Sequence, residues 1–133
     1  MNGVFLDSVG LIALWNRNDQ WHTPAKAAMT LANAPNAQFV STSYVLMECG
    51  NAGARTPFRA DVCALRDRLI LRRDLIEPSA AEIDEAWAAY RKNTAGGASI
   101  VDHISFVIMR RMGITDAFTN DRHFKAAGFN TLF

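Results

Sequence analysis

The 133-residue chain is half hydrophobic, carries 20% charged residues and has a formal net charge of +1. That is enough apolar material for one domain over residues 1–133, too little for two, and too little charge for a disordered chain. No apolar run approaches the roughly 18–20 residues of a membrane span, and the near-zero net charge gives no global signature of nucleic-acid binding.

The N-terminus, "MNGVFLDSVG", lacks a basic start followed by a long apolar stretch, so no secretory signal is expected and the protein is read as cytoplasmic. "GVFL" is a buried-strand run. Asp7 or Ser8 caps the following helix, whose Leu11, Leu14 and Trp15 share a face. "NRNDQWHTP" breaks the pattern, and Thr23 with Pro24 opens a second helix that ends at "APNA". "QFVS" is the second strand. Thr42 or Ser43 caps "YVLMECGNAG", and Thr56-Pro57 opens a helix reaching Arg73.

"LIEPS" is a third strand. Ser79 with Glu82 forms a capping box before a helix carrying Ile83, Trp87 and Tyr90. "TAGGAS" is a flexible linker. Ser99 and Asp102 repeat the capping box and open "IVDHISFVIMRRMG", stopped by Gly113. "DAFT" is a fourth strand, Asp121 starts the helix "DRHFKAAG", and "FNTLF" adds an edge strand. Short apolar strands alternating with helices predict an α/β fold: a mainly parallel sheet of four or five strands between two helical layers. Ligand sites of such sheets lie beyond the carboxyl ends of the strands.

Four acids sit in or beside apolar sequence: Asp7, Glu48, Asp102 and Asp121. Each has a plain reading. Asp7 caps a helix, Asp102 completes a capping box, Asp121 occupies a first helical turn, and Glu48 faces solvent. Yet Glu48 follows Val45, Leu46 and Met47, and an unpaired buried charge is very costly. Oxygen-only donors suit a hard cation, and no Cys/His cluster suggests zinc. His22, His103 and His123 are scattered, and His123 is expected to cap or pack near the last helix. Cys49 and Cys63 are expected to be free core thiols.

From Arg55 to Arg73, six arginines face only Asp61 and Asp67, a local excess of four positive charges. Arg110 and Arg111 form a second basic spot. Both read either as solvated helix faces or as phosphate-tracking surfaces.

"FLDSVGLIALWNRNDQWH", "STSYVLMECGN", "SIVDHISFVIM" and "DAFTNDRHFKAAGF" together resemble the successive motifs of the PIN-domain superfamily, and most closely the VapC-type ribonuclease toxins of toxin–antitoxin pairs. The likeness runs from residue 4 to the C-terminus. It implies an α/β/α sandwich and a Mg²⁺- or Mn²⁺-dependent endoribonuclease holding one or two ions. The family's acidic quartet maps onto Asp7, Glu48, Asp102 and Asp121, with Asp7 and Asp102 as central ligands. Ser8 and Thr119 map onto supporting hydroxyls. Asp116 is read as a turn residue at a strand entrance.

The RNA backbone would be gripped by Arg110, Arg111 and Arg122. The resemblance also implies a homodimer silenced by a small antitoxin. Trp15, Trp21, Phe58 and Leu65 could furnish apolar contact surface, and Asn51 to Arg73 is the expected contact stretch. Two other readings stand beside this one: a non-catalytic PIN-like RNA- or protein-binding domain, and a metal-dependent phosphatase. The phosphatase is disfavoured because "DSV" lacks a second aspartate two residues after Asp7.

Overall fold

The computed structural model describes residues 3–133. In chain order the elements are β1 (Gly3–Leu6), α1 (Ser8–Trp15), α2 (His22–Ala32), β2 (Gln38–Thr42), α3 (Ser43–Gly53), α4 (Arg59–Leu71), β3 (Leu75–Ile76), α5 (Ala80–Arg91), α6 (Ile100–Met112), β4 (Asp116–Phe118), α7 (Arg122–Ala126) and β5 (Asn130–Thr131). All five strands are parallel, in the order β3-β2-β1-β4-β5. β1 is central, and every one of its residues is buried. Its Phe5 lies opposite Val40 on one side and Ala117 on the other, and none of the three is exposed.

β1, β2 and β3 step one way across the sheet, and β4 and β5 lie on the other side of β1. Right-handed crossovers therefore put the helices of the two halves on opposite faces, giving the expected three layers. The reversal also opens a crevice between the carboxyl ends of β1 and β4, where such sheets bind ligands.

α1 sits directly on that crevice. A Cβ added at Gly10 would come within 2.0 Å of the Phe118 carbonyl oxygen. Only glycine permits this approach, which brings the start of α1 against the end of β4. α6 is buried throughout from Asp102 to Met109 and ends at Gly113, whose φ of 66° is left-handed. Both capping boxes form, at Ser79–Glu82 and at Ser99–Asp102.

The chain departs from the sequence reading in three local places. α2 begins at His22 without a side-chain cap, so Thr23 lies inside the helix. α4 begins at Arg59: the Thr56 hydroxyl donates back to the Gly53 carbonyl, which makes Thr56-Pro57 a turn. Cys49 is buried, but Cys63 is exposed. Val62 and Leu69 turn inward from α4, and Cys63, one residue around the helix from Val62, faces solvent. Among the described residues, no helix is long and apolar enough to cross a membrane.

Candidate active site

Asp7 follows β1 directly, with an extended backbone, and occupies the N-cap position of α1. Its carboxylate makes no capping bond, so the plain reading of this residue fails. Instead Oδ2 accepts a hydrogen bond of 2.8 Å from the Thr119 hydroxyl, which lies just past β4. The Thr119 oxygen in turn accepts from the Asp121 backbone N–H at 3.0 Å. One buried hydroxyl thus ties the ends of β1 and β4 together.

Glu48, on α3, faces the same crevice. Its Oε1 accepts from the Ser8 hydroxyl at 2.8 Å. Ser8 therefore supports Glu48, rather than its chain neighbour Asp7. Asp102 enters from the first turn of α6, where Oδ2 accepts from the Ser99 backbone N–H at 3.2 Å. Its capping role and its place in the crevice coexist, because the helix start itself points there. Asp121 likewise caps α7: its Oδ1 accepts from the His123 backbone N–H at 2.8 Å.

The four acids feel one another. Burial, followed by the charges of Asp102, Asp121 and Glu48, pushes the Asp7 carboxyl up to about 8, against the opposing bond from Thr119. Asp7 is only 1% exposed. Burial and then Asp121 and Glu48 raise Asp102 to about 6, while the Ser99 backbone bond and His123 act the other way. Glu48 is raised by burial, with the Ser8 bond opposing. Burial, then Asp7 and Glu48, drives the neighbouring Cys49 thiol up to about 12, which keeps it protonated and inert.

Among the described residues, no lysine or arginine lies within ion-pair distance of these acids. The ion pairs present are Arg111–Glu82 and His123–Asp121. A desolvated cup of carboxylate and hydroxyl oxygens without a lysine or arginine is a donor set that fits a hard divalent ion. Asp102, Asp121 and His123 each bring a donor atom within 4.8 Å of the other two. This group does not include Asp7 or Glu48. It does include His123, whose sequence context predicts only capping or packing near the last helix. The Asp-x-His spacing at 121–123 was the available signal.

The other candidates lie elsewhere. Arg110 and Arg111 are at the far end of α6, about 12 Å along the helix from Asp102 at 1.5 Å per residue. The Arg110 guanidinium donates to the Ala127 carbonyl and lies over the Phe129 ring, and Arg111 pairs with Glu82 at 2.7 Å. Arg122 is exposed beside Asp121. Asp116 accepts from Asn130 at the entrance of β4, away from the cup. His103 is buried edge-on between Tyr90 and Phe106, and His22 contacts the Ala13 carbonyl.

No protein-family profile matches the chain. The 23S rRNA-specific endonuclease VapC20 of Mycobacterium tuberculosis, from strains CDC 1551 / Oshkosh and ATCC 25618 / H37Rv, is 34% identical over 130 residues, which is 95% of this chain and 95% of that protein. The fold is also similar to the crystal structure of Mycobacterium tuberculosis VapC20, described as a sarcin–ricin loop cleaving toxin. That superposition has a TM-score of 0.80 at 27% identity and covers 96% of each chain.

Proposed function

This chain belongs to the VapC-type PIN-domain ribonuclease toxins, and from that premise we propose that it hydrolyses RNA phosphodiester bonds at the crevice between β1 and β4 with a bound divalent cation. The observation that carries the reading is the pair of buried acids, Asp7 and Asp102, whose ionisation is opposed by burial and by neighbouring carboxylates, with no lysine or arginine paired to them among the described residues. Such an arrangement is unfavourable without a bound ion and favourable with one.

Asp7 and Asp102 would be the central ligands, with Glu48 and Asp121 completing the site. A bound Mg²⁺ or Mn²⁺ would supply the positive charge that admits a polyanion and lowers the pKa of a water. The residues do the rest. Thr119 holds Asp7 by its Oδ2. Ser8 holds Glu48 by its Oε1, leaving Oε2 to orient a water or a ligand. Arg122, exposed at the rim, would meet a flanking phosphate.

The substrate we infer is a structured ribosomal RNA loop of the kind named for the VapC20 relative. The test is end-mapping of ribosomal RNA after incubation with wild type and with Asp7→Asn, each with Mg²⁺ and with EDTA. The expected result is one dominant cleavage, present only for wild type with the ion. Equal cutting by Asp7→Asn in a clean preparation refutes the assignment.

The partners follow as part of the same proposal. Met47 is 63% exposed on α3, and Trp87 and Tyr90 are about half exposed on α5. Tyr44, one turn before Met47, packs with the cluster between α5 and α6. We read this face as the homodimer contact. A second surface, a groove of about 620 Å³, is lined by Trp15, Met29, Phe39 and Leu65, with Arg68 and Arg72 and the acids Asp61 and Asp74 also on it. Only its α4 wall, from Asp61 to Arg72, falls in the stretch expected to meet a partner, and an amphipathic antitoxin segment would suit it. We also read residues 1–133 as one domain working in the cytoplasm.

A further inference from the structure

The two carboxylate oxygens of Asp121 are held differently. Oδ1 receives both the backbone N–H of His123, at 2.8 Å, and the ring Nδ1 of the same residue, at 2.7 Å. Among the described residues, no protein donor reaches Oδ2. Capping α7 requires only the backbone bond. The ring contact is additional, and it requires a proton on Nδ1, because an unprotonated nitrogen would repel the carboxylate.

The ring is also partly enclosed, its side chain 23% exposed. His123 follows Asp121 by two residues and is anchored next to Phe124, which is fully buried. On the other side, a Cβ added at Gly97 would lie 4.0 Å from Nε2, so the glycine turn before α6 lies near that edge of the imidazole. Gly97 has a φ of 92°, a conformation that disfavours any other residue.

We propose that His123 is a positioning residue of the cation site: its Nδ1–H pins Asp121 Oδ1 and so leaves Oδ2 as a single, fixed donor toward the ion. This rests on the reading of the cup as a metal site. Asp102 and Asp121 both offer oxygens within a 4.8 Å group, and like charges so placed push apart. Without the imidazole, the His123 backbone N–H alone would hold Oδ1, the carboxylate would be freer to turn from Asp102, and an arriving ion would have to order it again. A histidine bonded to a ligating carboxylate tunes affinity by removing that freedom.

The experiment is titration of the full chain with Mn²⁺ alone, by calorimetry at constant pH and without RNA, beside thermal melting in EDTA. His123→Asn places its amide N–H where Nδ1 stands. His123→Gln places it at the position of Nε2. The expected result is that Gln weakens Mn²⁺ binding by about 10-fold or more, that Asn keeps it close to wild type, and that both variants melt like wild type in EDTA. Wild-type affinity in the Gln variant, or an equal loss in the Asn variant, overturns the proposal. If the Gln variant does not fold, the Asn arm decides alone: retained affinity supports it and lost affinity overturns it. Asp7→Asn is the separate control, since undiminished Mn²⁺ binding there removes the metal-site reading itself, whatever His123 does.

Discussion

Asp7→Asn should make the ion-free protein more stable at neutral pH while it destroys cleavage. Burial and the charges of Asp102, Asp121 and Glu48 oppose ionisation of the folded Asp7 carboxyl and push it up to about 8, against the ordinary aspartate value of 3.8 in the unfolded chain. Between those values the native state binds the extra proton. Stability therefore falls as pH rises above about 4, and the loss is complete only above about 8. Each pH unit inside the window costs about 1.4 kcal/mol for this one group. Going from pH 5 to pH 7 should thus cost wild type about 3 kcal/mol through Asp7 alone. Asparagine is close in shape to the protonated acid and can still accept from Thr119, so it escapes that cost. The assay is urea unfolding in EDTA at pH 5 and pH 7 for both proteins, reading the difference between their pH dependences. That difference cancels groups common to both, such as His103, whose lowered pKa acts in the opposite direction. Saturating Mg²⁺, at about 100 times its Kd, should restore about 2.7 kcal/mol to wild type at pH 7 and much less to the variant. Parallel pH dependences for the two proteins would refute the desolvated cup.

Three further changes test the frame around the site. Gly10→Ala should destabilise by about 1–3 kcal/mol or unfold the chain, because its methyl group would meet the Phe118 carbonyl oxygen, and denaturant melts read this directly. Thr119→Val removes the donor to Asp7 and the acceptor of the Asp121 N–H, and should cost about 1–3 kcal/mol together with most of the RNA cleavage. Trp87→Glu, at a position 49% exposed, should leave the melting temperature of the monomer unchanged while abolishing dimers in sedimentation equilibrium. A variant that sediments like wild type would move the dimer contact off α5.

Much of this protein was legible in order along the chain. Apolar runs marked the strands, the serine capping boxes marked the starts of α5 and α6, and Gly113 marked the end of α6, since these signals act over three or four residues. The alternation of strand and helix was enough for a parallel sheet. The extra turn before α4 and the exposed Cys63 were not legible, because both depend on which face of α4 finds the core.

The four acids themselves could be picked out of the sequence, but not what each one does. Asp102 and Asp121 look like caps and are caps. Asp7 looks like a cap and is not one. Only the sheet order, with β4 beside β1, places Thr119 on Asp7 across 112 residues of chain, and only the pairing of α1 with α3 gives the Ser8 hydroxyl to Glu48. The same packing puts the His123 ring against Asp121. Local rules set which backbone N–H a carboxylate can reach, whereas desolvation and mutual repulsion come from neighbours that the chain brings together only after it has folded.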